Sequence, residues 1–180
     1  SGIPRGMATS ADQQYLYVAI FDKGGMVEKI NLKHFKIEKR IQFKNGCMRH
    51  IVVDRKKNLY YVSDMGKGSI YLISGETDKV IKEIKVDKKI NTIKLSSDGK
   101  YLFASSRGPN NPVSYLEKGF IFGKVFVIDT IKQETLYWLW GRNQPTGLAL
   151  SPDDNYLVFS DFLDHNLEIY KVNLKAFNLN

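Results

Sequence analysis

The sequence predicts an all-β fold made of four copies of one unit, and three observations carry that prediction. The segment SPDDNYLVFS (151–160) has close counterparts in SADQQYLYVA (10–19) and SSDGKYLFAS (96–105), and a looser one in DRKKNLYYVS (54–63). Aligned on Ser10, Asp54, Ser96 and Ser151, the copies stand 44, 42 and 55 residues apart, and a second landmark at Asn31, Ser74, Asp129 and Asn173 repeats at 43, 55 and 44. The third copy carries about 12 extra residues, all between Ser105 and Lys124; without them the period is a steady 42–44. Strand signals fill each copy and no helical period is sustained. A period of about 40–45 residues with strand signals alone predicts a β-propeller, one four-stranded blade per repeat.

Each strand of the unit has its own reason. Strand a is GMATS, HIVVD, TIKLS or GLALS. It lies nearest the propeller axis, where Gly6, Ala8, Gly147 and Ala149 suit the crowding. Strand b is YLYVA, LYYVS, YLFAS or YLVFS, and strand c is MVEKIN, SIYLIS, KVFVID or LEIYKVN. Both are rich in β-branched and aromatic residues, with Tyr17, Tyr61, Phe103, Phe126 and Phe159 expected between neighbouring blades. Strand d is KIEKRIQF, KVIKEIKV or ETLYWLW. The a–b segments SADQQ, SSDG and SPDDN are tight polar turns, because Asp, Asn and Gly accept turn dihedrals. The blades are expected at about 2–43, 46–87, 89–141 with an insertion at 107–119, and 143–174, the last lacking strand d. Propellers of such repeats close with six to eight blades. The four visible repeats are therefore expected to be part of a larger ring completed by blades from the same or another chain, with four-bladed closure as the alternative.

Composition narrows the partners. The 180 residues carry a net charge of +8, which favours anionic partners. The lysines concentrate in KINLKHFKIEKRIQFK (29–44) and KVIKEIKVDKK (79–89), where Ile37, Ile41 and Phe43 alternate with charged residues. That is the pattern of a half-buried strand with a charged outer face, so no specific nucleic-acid groove is expected. No apolar run reaches the roughly 18–20 residues of a membrane span. The single cysteine, Cys47, forms no internal disulfide and is expected to be a buried, inert thiol.

The segments PRGMATSADQQYLYVA (4–19), PTGLALSPDDNYLVFS (145–160) and VFVIDT (125–130) resemble the YVTN family of β-propeller repeats, which is related in pattern to the lactonase-like seven-bladed propellers. The resemblance covers nearly the whole chain. HIVVDRKKNLYYVS departs most, lacking the small residue and the Asp-bearing turn. The resemblance implies a bacterial protein of the periplasm or cell surface, and it says more about the blade than about function.

Antiparallel alternation puts the d–a and b–c connections on one face of the disc. The residues entering strand a there are Arg5, Arg49, Asn91 and Thr146, with His50 next to Arg49. The b–c exits add Asp64, Arg107 and Asp161, and the insertion adds Tyr115. Guanidinium groups so placed suit a carboxylate or phosphate, so the expected ligand is an anionic small molecule, an acidic glycan or an acidic loop of a protein partner. A structural network in which Asp64 and Asp161 neutralise the arginines is the competing reading. His34 is expected to be solvated, and His165 with Asp161 and Asp164 is too sparse for a metal site. Trp138 and Trp140 alternate with Leu139, which leaves packing and exposure both open. No nucleophile elbow, phosphate loop, CxxC or HExxH occurs. The expectation is a non-enzymatic binding or scaffold module with no catalytic residues, metal or cofactor. Alternatives are a lactonase-like hydrolase on the axial polar face and a basic envelope protein that binds an acidic polymer.

Overall fold

The computed structural model describes residues 2–22 and 24–178. Its strands are β1 (Ile3–Thr9), β2 (Tyr15–Phe21), β3 (Met26–Asn31), β4 (Lys36–Gln42), β5 (Met48–Asp54), β6 (Leu59–Asp64), β7 (Ser69–Ser74), β8 (Val80–Lys85), β9 (Ile90–Leu95), β10 (Tyr101–Ser106), β11 (Lys124–Asp129), β12 (Glu134–Trp140), β13 (Pro145–Leu150), β14 (Tyr156–Asp161) and β15 (Asn166–Lys171). They form four sheets, each ordered β1-β2-β3-β4, β5-β6-β7-β8, β9-β10-β11-β12 and β13-β14-β15. The all-β class and the meander within each sheet are those the repeat predicts. The fourth sheet has three strands among the described residues. The tail, undecided in the sequence, forms a short 3-10 helix η1 (Leu174–Asn178).

The chain divides into two compact units, Ser1–Ile93 and Lys94–Asn180. In the first, the core joins Tyr17, Ala19, Val27 and Ile41 of one sheet to Ile51, Tyr60, Val62, Tyr71 and Ile73 of the next, with Phe43 and Met48. Tyr17 stacks on Tyr60 with centroids 4.3 Å apart, and Phe43 meets Tyr71 at 4.6 Å. In the second, Tyr101, Phe103, Val125 and Val127 pack with Leu157 and Phe159. Phe177 of η1 lies 5.5 Å from the Tyr101 ring, so the tail seals this core.

The repeated Ser-x-Asp-x-x-Tyr has a plain cause. The Ser10 hydroxyl donates to Asp12 Oδ1 (2.5 Å) and accepts from Tyr15 N (3.0 Å), while Gln14 N donates to the same carboxylate (3.1 Å). Ser96, Asp98 and Tyr101, and again Ser151, Asp153 and Tyr156, repeat these bonds. The residue three after each serine has a positive φ: Gln13 at 61°, Gly99 at 71° and Asp154 at 58°. The second copy solves the same reversal differently. Asp54 Oδ1 accepts from Lys56 N and Lys57 N, and Asn58, four residues on, takes the left-handed conformation at 50°. That is the device of the c–d turns too, where Asn31 Oδ1 accepts from Lys33 N and His34 N before Phe35 (φ 53°), and Asp129 Oδ1 from Ile131 N and Lys132 N before Gln133 (φ 59°).

The b–c turn after Asp64 uses it as well, and Asp161 is a side-chain acceptor at the same strand end. Asp64 Oδ1 accepts from Gly66 N (2.9 Å), Lys67 N (3.1 Å) and, across the d–a connection, Cys47 N (2.9 Å). Asp161 Oδ1 accepts from Arg142 N (2.9 Å), also in a d–a connection but two residues before the position that matches Cys47. Both residues are buried, and both Oδ2 atoms lack a hydrogen-bond partner among the described residues. Burial, with Glu168 nearby, pushes the Asp161 carboxyl up to about 6 from 3.8.

Strand b carries another repeated part. The Ser63 hydroxyl accepts from His50 N (3.0 Å) and donates to Asn91 O (2.6 Å) of the next strand a. In the second unit, Ser160 Oγ accepts from Gly147 N (3.0 Å), and Ser105 Oγ donates to Thr146 O (3.1 Å).

Three outcomes are expected. Tyr60→Ala removes a ring that is 1% exposed and should cost about 3–5 kcal/mol in chemical denaturation. Ser63→Ala leaves a buried carbonyl and amide without their hydroxyl, and should cost about 1–3 kcal/mol in the same assay. Asp161 has its folded pKa raised, so the native state holds the proton more tightly than the unfolded chain and stability falls as pH rises from about 4 to 6. Asp161→Asn keeps an acceptor for Arg142 N without the charge. It should therefore remove that fall, gaining on the order of 2 kcal/mol over the parent at pH 7 but not at pH 4; identical pH profiles for the two proteins would show the carboxylate is not destabilised.

Candidate functional site

Strand a is irregular at its entry in three sheets. The pairing of β1 with β2 shifts between Pro4 and Met7, that of β5 with β6 between Met48 and His50, and that of β13 with β14 between Pro145 and Leu148. A bulge re-aims side chains and leaves a residue out of the ladder. The residues freed are Arg5, Arg49 and Thr146, three of the four positions expected at the entry to strand a.

In the first unit the bulges bring four expected residues together. Arg5, Arg49, His50 and Asn91 line one open depression of about 500 Å³, with Pro4, Gly6, Met7 and Thr92. Gly6 permits the close approach: a Cβ there would stand 2.6 Å from His50 Cα. Phe21, at the end of strand b, is a shared platform. The Arg5 guanidinium carbon lies 5.3 Å from its ring centroid and that of Arg49 lies 6.0 Å away. Two guanidinium groups on one ring hold their charges side by side. Arg49 Nε also donates to Asn91 Oδ1 (2.5 Å). Asn91 is buried, and its Nδ2 has no hydrogen-bond partner among the described residues. The lining contains two arginines and no acidic side chain, so the depression is electrostatically one-sided.

The remaining expected residues are placed otherwise. Asp64 is committed to its turn and to the d–a amide of Cys47 rather than to Arg5 or Arg49 by any direct bond described. In the second unit, Arg107, Tyr115 and Thr146 meet at Gln144, a buried d–a residue with φ 62°. Arg107 Nη2 donates to Gln144 Oε1, Gln144 Nε2 donates to Tyr115 O (2.7 Å), and Thr146 Oγ1 donates to Gln144 O (2.8 Å). Burial lowers the Arg107 pKa, and its guanidinium lies 5.8 Å from the Phe162 ring. Arg107 thus anchors the insertion, and Tyr115 contributes its carbonyl while its side chain is exposed. Cys47 is half-buried rather than buried; its thiol donates to Asp22 O (3.6 Å) and burial raises its pKa. His34 and His165 are exposed. Among the described residues no three His, Cys, Asp or Glu side chains come together to hold a metal ion.

Sequence reasoning missed Phe21, Gln144 and the strand-b serines. The serines had a signal, since YYVS, FASS and VFS all end in one. Phe21 and Gln144 had none, because their roles arise from bulges and loop closure.

Comparison with known proteins gives three findings. Residues 34–180 match the family model described as lactonase, 7-bladed beta-propeller. The chain is 44% identical over 176 residues to Antigen Lp49 of Leptospira interrogans serogroup Icterohaemorrhagiae serovar copenhageni, covering 94% of this chain and 39% of that protein. The chain thus spans about two-fifths of the length of this curated relative. Among solved structures, hydrazine synthase of Kuenenia stuttgartiensis superposes with a TM-score of 0.78 at 20% identity, over 97% of this chain and 47% of that one, a likeness of fold. The match over most of the chain, with the meander sheets and their repeated turns, shows that the protein belongs to the lactonase family of seven-bladed β-propellers.

Proposed function

We propose that the chain is part of a binding module, and that the depression lined by Arg5, Arg49, His50 and Asn91 takes an anionic group. One observation carries this reading: two guanidinium groups rest on the single Phe21 ring in a lining that holds no acid. Such a pair can present a fork of donors to a carboxylate or phosphate. The ligand is an anionic small molecule, an acidic glycan or an acidic loop of a protein partner, and the remaining blades complete the face. The net charge of +8 would draw such a partner in. A relative named as an antigen supports a place at the cell surface or in the periplasm. No helix of the described residues is long and apolar enough to cross a membrane.

The family match favours a second reading, lactone hydrolysis, in which His50 beside Arg49 is the one imidazole in the depression. An oxyanion could rest on the arginines while the imidazole moves a proton.

Two measurements separate these. In calorimetry with citrate as probe, Arg5→Glu combined with Arg49→Glu should weaken binding at least tenfold, and added salt should weaken the parent's binding in the same direction. Arg5→Ala alone, at an exposed residue, keeps the test valid if the double variant does not fold. Citrate binding that survives both changes overturns the anion site. Turnover of a chromogenic lactone that disappears in His50→Ala would instead establish the hydrolytic reading.

A further inference from the structure

Strand d of the third blade breaks the rule its counterparts follow. Position by position, Trp138 and Trp140 stand where β4 has Arg40 and Gln42 and where β8 has Glu83 and Lys85, each read from its strand-c partner. A charged residue therefore suffices for the fold at these places. Both indoles are substantially exposed, at 41% and 50%, and meet edge to face with centroids 5.0 Å apart. Lys124 Nζ sits 4.6 Å from the Trp138 ring and 5.0 Å from the Trp140 ring, fixing the pair from strand c.

Beside them the insertion adds further apolar surface. Phe120 is 94% exposed and Phe122 47%, on a segment that is tied down rather than loose. Gly119 N donates to Asn143 Oδ1 (2.8 Å), and Lys118 pairs with Asp164 (2.8 Å). These aromatic residues and Trp140 help line an open cavity of about 670 Å³ within the second unit. Arg142, Asp164 and Glu168 line it as well. The polar groups are oriented before any ligand arrives. Asn143 N donates to Asp164 Oδ2 (2.7 Å), and the Tyr170 hydroxyl donates to Glu168 Oε2 (2.7 Å).

We infer that this cavity is a saccharide-binding site, distinct from the arginine depression, which takes a pyranose ring against Trp140 and the insertion's phenylalanines. A sugar ring has an apolar C–H face and a polar rim, and it needs both surfaces at once. The aromatic residues of the lining meet the first requirement. The carboxylates of Asp164 and Glu168 accept from hydroxyls and the exposed Arg142 guanidinium donates to ring and hydroxyl oxygens, which meets the second. A purely apolar partner would strip water from the Glu168 carboxylate and the Arg142 guanidinium without replacing its hydrogen bonds, at a cost. The two carboxylates also make a neutral sugar a better occupant than an acidic one.

The chain has two tryptophans, Trp140 in the cavity lining and Trp138 edge to face with it, so indole fluorescence reports on this site and its immediate edge. Titration with chitotetraose and with cellotetraose should shift the emission for at least one of them, with affinity confirmed by calorimetry. Phe120→Ala and Glu168→Gln, neither of which removes an indole, should each weaken that binding at least tenfold. Arg5→Glu with Arg49→Glu should leave it unchanged, so this inference and the proposed anion site fail separately. No response to either sugar up to millimolar concentration overturns the inference. So does a response that both cavity variants retain, or one seen with an amphipathic peptide but with neither sugar, which would make the surface a protein-docking site.

Discussion

Every blade has to reverse its chain within a few residues, and each reversal turns backbone N–H groups away from any strand partner. Leaving such groups buried and unpaired costs more than the turn can recover elsewhere. Five of the described turns meet the constraint in one way: a side-chain oxygen at the strand end collects two inward amides, and a left-handed residue closes the loop. Asp22, Asn31, Asp54, Asp64 and Asp129 all accept from the residues two and three ahead. The left-handed positions that follow are held by Gly25, Phe35, Asn58, Gly68 and Gln133. Three of the a–b turns add a serine hydroxyl, which lets the carboxylate cap from inside the loop. The Ser10 and Ser151 hydroxyls hold the Asp12 and Asp153 carboxyls below their usual range.

That constraint explains what could be read without coordinates. Ser-x-Asp-x-x-Tyr recurs because backbone amides demand an acceptor at fixed offsets, and such a demand leaves its mark on the sequence. The looser copy DRKKNLYYVS also becomes intelligible, since Asp54 collects the amides of Lys56 and Lys57 and the left-handed residue, Asn58, comes one position later. The sheets follow from alternation and aromatic content. The site was legible only in part. Arg5, Arg49 and Asn91 share one register position, so symmetry between blades was enough to predict that they meet. That Asp64 would spend its accepting oxygen on amides, and that Arg107 would hold Gln144, depends on bulges and loop paths that no local pattern encodes.

The bulges at the entry to strand a connect architecture with chemistry. A strand in regular register would alternate its side chains between the two faces of the blade, into the packing on either side. The shift frees Arg5 and Arg49 from that alternation, and the hydroxyl of Ser63 accepts the His50 amide that the shift displaces. In the first sheet the matching strand-b residue is Ala19, which is fully buried. Phe21, two residues further on, then supplies the aromatic surface on which both guanidinium groups lie. The positive pair is thus held by the same parts that hold the blades.

Repetition supplies an internal control for function. Where two sheets place Arg40 and Glu83 at one position and Gln42 and Lys85 at the next, the strand evidently needs only a residue that tolerates water there. Trp138 and Trp140 exceed that need, and they occur in the blade that carries the insertion. Neither feature is required by the turns, the core or the bulges. Large rings left half in water forgo part of their burial free energy. Holding them there with Lys124, and tying the insertion to Asn143 and Asp164, is consistent with a surface shaped for contact rather than for packing within its own blade.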